Sequence, residues 1–458
     1  MNQHFDVAVV GAGLTGLAAA YSAQREGADV VIIEASNRPG GVVATKLING
    51  FLIEEGPNSL SASDELLALL RAIGLSDEII EPPASSHRRF IVRNNVLHAL
   101  PTSPSALISS KLLSATGKFR ALCEPLVPRS QNDGDESLAS LVRRRFGQEV
   151  LDYFVDPFVS GVYAGNPEQL SSRYALRSLG ELERRHGSVL VGAARQARAR
   201  NGLKPQSRIV SLKNGLEQLT KKLAEQLNHA PLLQNRVTEI TNNGNGWTLQ
   251  CEGDSYSQQL TASTVVIAAP SHALDAMILP VNVRELMRPI SEVKYAPVAT
   301  VSFGYRRDQV QHALDGFGVL IPSAEKRGIL GTLFSSSMFP DRAPHDHVLL
   351  TCFVGGARAE RVPTPSHALA SALSEIVPLL GIRGSPTFSH VAVWQRGIPQ
   401  FAPGHNAVVQ AAATIETRAP GLLFDGSYRS GVALGECVMN GIATGARAAL
   451  LCGSTVTF

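Results

Sequence analysis

The sequence predicts an α/β fold, in which a Rossmann-type domain is joined to a domain with a mixed sheet and to a helical block. Short apolar runs at 6–10 and 29–33 flank an alanine-rich stretch at 14–25 with helical spacing, the order and length of a βαβ unit. Apolar runs separated by turn residues between 299 and 355 indicate a second sheet of largely antiparallel strands. The stretch 101–201 has the apolar spacing of helices.

Composition describes a globular protein of more than one domain. The 458 residues exceed what a single hydrophobic core usually serves. Hydrophobic residues make up 44% and charged residues 18%, which excludes a disordered or coiled-coil protein. The formal net charge of +3 is too small for a dedicated nucleic-acid binder. The five cysteines lie far apart without CxxC or paired-histidine spacing, so we expect neither a metal site nor a disulfide framework.

A glycine-rich turn between the first strand and the first helix predicts a dinucleotide site. The motif GAGLTG at 11–16 lets the backbone turn tightly and approach a pyrophosphate at the helix N-terminus. Glu34 ends the second strand, where its carboxylate can accept both ribose hydroxyls, and an acid here disfavours NADP. A second glycine pair follows in RPGG at 38–41. This pair lets backbone meet a longer cofactor, which favours FAD over NAD.

Segments near both ends of the chain resemble the amine oxidase-like flavoproteins. EASNRPGG at 34–41 is similar to the FAD-binding segment of that superfamily, and GPNS at 56–59 lies where its chain passes the flavin. GLLFDGSYRSGVALG at 421–435 is similar to its second flavin segment, a strand leading to a helix whose N-terminal amides face the isoalloxazine. The resemblance implies that both ends of the chain meet at one cofactor.

Four dispersed segments resemble a narrower family. They are FVDPFVSGVYAGNPEQLS at 154–171, GTLFSSSMFP at 331–340, QRGIPQFAPGH at 395–405 and GVAL at 431–434. All are similar to segments of the oxygen-dependent porphyrinogen oxidases of haem and chlorophyll synthesis, which act on protoporphyrinogen IX or coproporphyrinogen III. The resemblance runs from the first strand to the last helix, and four motifs in the same order are rarer by chance than one.

The resemblance implies FAD contacts spread over both ends of the chain. They fall on Gly11, Gly13, Thr15, Gly16, Glu34, Ala35, Gly41, Val42, Gly56, Pro57, Asn58, Ser59, Val237, Ser427, Val432, Ala433 and Leu434. Val237 is included because NRVTEI at 235–240 resembles the strand whose backbone meets the adenine.

The resemblance also implies a pocket for a flat tetrapyrrole. Its residues are Arg89, which pairs with a propionate, Leu320 and Leu333, which sandwich the macrocycle, Phe353, which stacks on a pyrrole ring, and Asn58, Ala164 and Gly165, which line the cavity. A propionate suits a planar bidentate cation, and a large apolar ring suits aliphatic and aromatic walls. Two points stay open: Arg88 is an alternative to Arg89, and apolar strand residues are usually core.

Changes in pattern along the chain predict domains that are discontinuous in sequence. The FAD-binding domain is expected at 1–80, 202–289 and 401–458, and the substrate-binding domain at 81–100 and 290–400. The helical insertion at 101–201 carries arginine-rich clusters beside apolar helices, so it is expected to contact an anionic membrane surface, with a solvated helix face as the alternative. The sequence has no apolar run of about 18 residues and no targeting signal at its start. A cytoplasmic location with peripheral membrane contact is therefore expected.

The resemblance implies a flavin-centred oxidase. No Ser/His/Asp pattern, paired carboxylates or HExxH motif occurs, so no catalytic side chain is assigned and the cofactor carries the chemistry. The expected reaction is the six-electron oxidation of protoporphyrinogen IX to protoporphyrin IX by O₂, with H₂O₂ as product. The alternatives are oxidation of coproporphyrinogen III, an FAD-dependent amine oxidase and a non-redox binding protein on the same fold. Expected partners are the porphyrinogen, O₂, a second copy in a homodimer and a ferrochelatase that receives the product.

Overall fold

The computed structural model describes residues 3–130, 134–199, 208–244, 246–253 and 257–453. The domain limit expected at 201/202 lies outside the described residues. In chain order, strands β1 to β18 of this part are Gln3–Val10, Val30–Ile33, Thr45–Ile48, Phe51–Glu54, Leu60–Ala62, Ile79–Ile80, Arg89–Arg93, Val96–Ala99, Arg208–Leu212, Asn235–Asn242, Trp247–Gly253, Ser257–Ile267, Tyr295–Arg306, Gly318–Leu320, Gly331–Leu333, His347–Gly355, Phe388–Pro399 and Leu422–Phe424. Helices α1 to α18 are Leu14–Arg25, Asp64–Ala72, Pro104–Ser109, Ala115–Leu122, Leu138–Phe146, Gln148–Val150, Asp156–Tyr163, Ser172–Ala175, Arg177–His186, Val189–Ala199, Glu217–Glu225, Val281–Arg284, Arg288–Ser291, Ser335–Met338, Pro365–Leu380, Asn406–Arg418, Ser427–Ser430 and Leu434–Gly453.

The first sheet places the glycine-rich turn at the carboxyl end of a central strand. Strand β1 pairs in parallel with β2 and β12, and β18 pairs in parallel with β12. Helix α18 packs directly on α1, because a Cβ at Gly441 or Gly445 would lie 2.4 or 2.0 Å from the carbonyl oxygens of Thr15 and Ala19. The Rossmann-type part of the predicted fold is confirmed, and the last helix lies against the first.

Strand β9 joins a different sheet from the strands that follow it. It pairs with β5 and β6 in a small antiparallel sheet, whereas β10, β11 and β12 extend the first sheet. Its residues Val210 and Leu212 are buried in one cluster with Leu60 and Leu66. These apolar contacts hold the segment that follows 56–59 against the first domain.

The second sheet has seven strands in the order β17-β13-β16-β15-β14-β7-β8. Neighbouring strands run antiparallel except β14 and β7, which run parallel, so the mixed sheet of the prediction is confirmed. Helix α15 covers one face, where Ala372 and Ile376 pack with Val301 and Phe303. The opposite face is therefore turned toward the rest of the molecule.

A helical block, α3 to α10, lies between β8 and β9. Its core includes Leu138, Leu141 and Val159. The fully buried Arg145 guanidinium pairs with Glu124, whose carboxylate also accepts the backbone N–H groups at the start of α10. Because both charges are paired and hydrogen-bonded, the network holds the turn after α4 against α10. Among the described residues, no helix is long and apolar enough to cross a bilayer.

Helix α2 begins at a serine cap, Ser63, ahead of leucines that recur at helical spacing. The Ser63 hydroxyl accepts the Leu66 N–H at 3.3 Å. Replacing Ser63 by alanine is expected to lower the free energy of unfolding by about 1 kcal/mol, because one backbone donor loses its partner. Urea denaturation measures this, with exposed Ser178→Ala in α9 as the control. Equal losses in both variants would contradict the capping role.

Candidate active site

Two glycine-rich turns form a cradle at the carboxyl ends of β1 and β2. The Gly40 N–H donates to the Ala12 carbonyl at 2.8 Å, and a Cβ at Gly41 would lie 3.4 Å from the Gly13 Cα. A Cβ at Gly16 would lie 2.0 Å from the Gly11 carbonyl oxygen, whereas one at Gly13 would meet no protein atom within 4 Å. The fold itself requires Gly16 to be glycine, while Gly13 borders open space.

The N-terminus of α1 points into this cradle with its amides unblocked. Gly13 is the N-cap residue, no side chain caps the helix, and its first turn, which includes Thr15, holds no acidic residue. The first N–H groups of a helix lack intrahelical acceptors and favour an anion. The turn therefore fits the pyrophosphate of a dinucleotide.

Glu34 is held by backbone at the edge of the cradle. Its Oε2 accepts the Ala12 N–H at 2.7 Å and its Oε1 accepts the Ser36 N–H at 2.8 Å. Each carboxylate oxygen keeps further acceptor capacity, which suits ribose hydroxyls. Ala35 follows directly, and the Asn235 N–H donates to the Glu34 carbonyl at 2.9 Å, which brings β10 alongside. The side chain of Val237 is buried in the core, so only its backbone faces outward.

The segment 421–435, which the resemblance predicts to meet the flavin, lies beside the same turn. The Asp425 N–H donates to the Ile267 carbonyl at 3.0 Å at the end of β18. The Asp425 carboxyl accepts the Gly426 N–H and the Thr444 hydroxyl, each at 2.7 Å, and burial raises its pKa. The half-buried residues that follow at the start of α17 and α18 are Ser427, Val432, Ala433 and Leu434. Because α18 packs on α1, the structure brings both ends of the chain together as expected.

The segment 56–59 continues the cradle toward the second sheet. A Cβ at Gly56 would lie 2.0 Å from the carbonyl oxygen of Val42, so Gly56 touches the residue that follows the second glycine pair. The Asn58 side-chain amide donates to the Gly56 carbonyl at 3.0 Å. Pro57 and Ser59 are half-buried on either side of Asn58. The cradle therefore extends from the nucleotide turn to the sheet that carries the predicted substrate residues.

Four predicted substrate residues lie on one face of the seven-stranded sheet. Gly318 pairs with both Arg89 and Leu333, and Gly331 pairs with both Leu320 and Phe353. Cross-strand partners point to the same side of a sheet, as do residues two apart on one strand. This face is opposite to the one that α15 covers. Because Gly318 and Gly331 carry no side chains, the centre of this face is flat between the larger side chains around it.

The C-terminal end of α7 closes one side of this face. Leu320 packs on α7, since its Cδ2 would lie 2.7 Å from a Cβ at Gly161. Ala164 ends the helix at φ 46°, and its carbonyl accepts the Ala357 N–H at 2.7 Å. Phe353 packs against the small apolar cluster that contains Ala164, and Gly165 follows with its carbonyl near Arg358. The structure thus brings Leu320, Phe353 and the turn at 164–165 together.

Arg88 and Arg89 have different surroundings. Arg88 forms an exposed ion pair with Asp315 at 2.6 Å. The Arg89 Cζ lies 4.8 Å from the centroid of the Phe317 ring, and among the described residues its guanidinium has no acidic partner. Desolvation lowers the pKa of Arg89. An exposed guanidinium on the sheet face that has no acidic partner among the described residues suits a carboxylate ligand, so the geometry favours Arg89 over Arg88.

A small cavity, lined by Asn58 and by Thr351 of the second sheet, lies beside the segment 56–59. Glu54 and Arg342 line it, 3.5 Å apart and both buried. Burial raises the pKa of Glu54 and lowers that of Arg342. The sequence analysis did not predict the Glu54–Arg342 pair, nor the contacts that Glu55 makes with β13 and β17. Period-two alternation along β17 could have shown which of its residues share a face, but not which segment packs on that face.

A profile of the flavin containing amine oxidoreductases matches residues 14–451. The chain belongs to this family, and its cofactor is FAD. Its fold is similar to that of a protein from Exiguobacterium sp. 255-15, with a TM-score of 0.81 at 24% identity over 98% of this chain and 99% of that one. It is also similar to cyclohexylamine oxidase from Brevibacterium oxydans, with a TM-score of 0.69 at 19% identity over 97% and 99%.

Sequence relatives define the group within this family. The chain is 34% identical to protoporphyrinogen oxidase 2 of Arabidopsis thaliana over 95% of this chain and 92% of that protein. It is 26% identical to coproporphyrinogen III oxidase of Bacillus subtilis over 95% and 96%. Within the flavin containing amine oxidoreductases, the chain belongs to the family of the protoporphyrinogen and coproporphyrinogen III oxidases.

Proposed function

We propose that the protein oxidises protoporphyrinogen IX to protoporphyrin IX in haem biosynthesis, with O₂ as final oxidant and H₂O₂ as product. The observation that supports this most strongly is that one face of the second sheet, beside the segment 56–59, carries Arg89, Leu320, Leu333 and Phe353. Such a face, with a flat centre, apolar walls and an unpaired cation, suits a flat acidic macrocycle. Bound FAD supplies the acceptor for hydride. The relatives named protoporphyrinogen oxidase support this choice.

The chain's own residues then bind, orient and exclude water. The cofactor contacts are proposed at the residues of the cradle, namely 11, 13, 15, 16, 34, 35, 41, 42, 56–59, 237, 427 and 432–434. Arg89 binds a propionate, while Leu320 and Leu333 flank the macrocycle and Phe353 stacks on it. Asn58 and the backbone at 164–165 line the remaining wall. Positioning of this kind can lower the activation barrier of the reaction substantially without acid–base residues.

Coproporphyrinogen III is the second candidate substrate. It is favoured by relatives named coproporphyrinogen III oxidase at 26% and 30% identity. Parallel turnover of both porphyrinogens, followed by product fluorescence and H₂O₂, decides between them. A higher kcat/KM for protoporphyrinogen IX is expected, and a large preference for coproporphyrinogen III would overturn the first choice. Production of H₂O₂ from simple amines instead of porphyrinogens would favour an amine oxidase.

The helical block supplies a candidate surface for peripheral membrane contact. Its most exposed apolar side chains are, with their exposed fractions, Ile108 at 68%, Phe119 at 70%, Leu122 at 65% and Leu126 at 82%. The Lys118 ammonium donates to the Ile108 carbonyl at 2.6 Å, which holds α3 beside α4. An apolar cluster beside basic residues suits an anionic bilayer surface. The proposal keeps the protein in the cytoplasm, at the membrane periphery.

Replacing Leu126 by serine is expected to weaken binding to vesicles of mixed neutral and anionic phospholipid about fivefold, because one apolar side chain no longer enters the interface. Co-sedimentation at low salt measures the bound fraction. Leu47→Ser is the matched control, since Leu47 is 70% exposed and lies on β3 outside the block. Absent binding of the unaltered protein, or an equal effect of both substitutions, would contradict membrane contact through this surface.

The remaining partners are proposed from the chemistry of the product. Protoporphyrin is flat, apolar and poorly soluble, so direct hand-over to a ferrochelatase would keep it out of water. A homodimer is proposed as the unit that makes this transfer. Light scattering on the purified protein tests the dimer, and a monomer at micromolar concentration would contradict it.

A further inference from the structure

Four side chains converge on Glu55, the residue directly before 56–59. The Thr300 hydroxyl donates to the Glu55 carbonyl at 2.9 Å, and the Trp394 indole N–H donates to the same carbonyl at 2.7 Å. A backbone carbonyl has two lone pairs, so both are used. The carbonyl that precedes the proposed flavin segment is therefore fixed from two strands of the second sheet.

The carboxylate of Glu55 is held as well. Lys46 Nζ and His390 Nε2 each lie 2.7 Å from Glu55 Oε1. Desolvation raises the pKa of Glu55, but the hydrogen bonds from Lys46 and His390 outweigh it and lower the pKa overall. Lys46 lies on β3 and His390 on β17, so the carboxylate links the first part of the chain to the second sheet. The carbonyl of Glu55 is thus held by the second sheet alone, and its carboxylate by both parts.

Three of the four residues that hold Glu55 share a face with the proposed substrate wall. Thr300 is the cross-strand neighbour of Phe353, and His390 pairs with Ser302 on β13. Alternate residues of a strand point to the same face, so Trp394 shares this face of β17 with His390. A Cβ at Gly56 would lie 4.0 Å from the Trp394 Cζ2, and Gly56 also touches Val42. Gly56 is thus confined between the indole and the second glycine turn.

We propose that Glu55 is a positioning residue through which Thr300, His390 and Trp394 of the substrate sheet set the position of the flavin relative to the porphyrinogen. The inference rests on the proposed function, because it places the flavin against 56–59 and the macrocycle on the sheet face. Hydride transfer requires reacting atoms within about 3–3.5 Å. The contacts around Glu55 form a clamp that joins the two proposed binding surfaces, and this clamp fixes the separation.

The test removes one donor at a time, and Thr300→Val also keeps the side-chain shape. Thr300→Val and Trp394→Phe each delete one hydrogen bond to the Glu55 carbonyl. Each is expected to raise the Kd for FAD about three- to tenfold, to change the visible circular dichroism of bound flavin and to lower kcat with little change in KM. Because both donors share one acceptor, the double variant should deviate from additivity. Thr300→Ser retains a hydroxyl and is expected to restore both the Kd and the flavin spectrum.

Thr387→Val is the matched control, because the Thr387 hydroxyl donates to the Gly304 carbonyl at 3.1 Å in the same sheet. It is expected to leave the FAD Kd and the flavin spectrum unchanged. Unaltered FAD binding and spectrum in both Thr300→Val and Trp394→Phe would overturn the proposal, as would equal losses in Thr387→Val. If Trp394→Phe does not fold, Thr300→Val and its serine rescue still decide. The FAD titration needs no porphyrinogen, so failure of the proposed substrate is distinguished from failure of the clamp.

Discussion

Replacing Gly13 by alanine is expected to weaken FAD binding about 5- to 150-fold and to leave the FAD-free protein as stable as before. Gly13 has φ −67°, which alanine adopts without strain. A Cβ there would meet no protein atom within 4 Å, so only the cofactor senses it. Overpacking of a filled site costs about 1–3 kcal/mol, which corresponds to this range of affinity. Titration of the FAD-free protein with FAD measures the effect.

Two further glycines make this prediction specific. In Gly16→Ala the new Cβ would lie 2.0 Å from the Gly11 carbonyl oxygen, so the stability of the FAD-free protein should fall together with its affinity. Gly453→Ala adds a methyl group in open space at the end of α18 and should change neither. Unaltered FAD affinity in Gly13→Ala would show that the pyrophosphate does not approach this turn.

Replacing Arg89 by alanine is expected to raise KM for the porphyrinogen about 10- to 150-fold while bound FAD stays at its normal level. Arg89 is placed on the substrate face without an acidic partner among the described residues, and a hydrogen-bonded charge contributes about 1.5–3 kcal/mol. Steady-state kinetics with the FAD content of each preparation measures the effect. Arg89→Lys keeps the charge but loses the planar fork, so an intermediate KM is expected.

Arg88 provides the control for this substitution. Its ion pair with Asp315 is exposed, with side chains 66% and 39% accessible, and pairs of this kind contribute little. Arg88→Ala should therefore leave KM near its normal value. Equal increases in the two variants, or no increase in Arg89→Ala, would mean that the propionate binds elsewhere.

Features set by local sequence could be predicted, and their physical reasons are visible in the structure. The βαβ unit and the turn at 11–16 depend on neighbouring residues, since Gly16 must pass close to Gly11. The start of the helix after Ser63 is set locally, since the Ser63 hydroxyl accepts the N–H of Leu66, three residues further on. The motif resemblance supplied the substrate residues, whose shared face depends on strand register. The limits of the domains stay a prediction.

Features set by long-range pairing could not be predicted from the chain. The choice between Arg88 and Arg89 depends on the parallel pairing of β7 with β14, more than two hundred residues away. The contacts of Glu55 with Thr300 and Trp394 join segments 245 and 339 residues apart in sequence. Alternation along a strand shows which residues share a face. It does not show which segment packs on that face.

Anaerobic mixing of the purified flavoprotein with each porphyrinogen tests the central claim most directly. If the sheet face holds the macrocycle beside the cofactor, the absorbance of oxidised flavin should disappear in a rapid phase whose rate constant saturates with porphyrinogen concentration. Admission of O₂ should then restore the flavin absorbance and release H₂O₂ and the fluorescent porphyrin. Flavin that stays oxidised with both porphyrinogens would contradict the account.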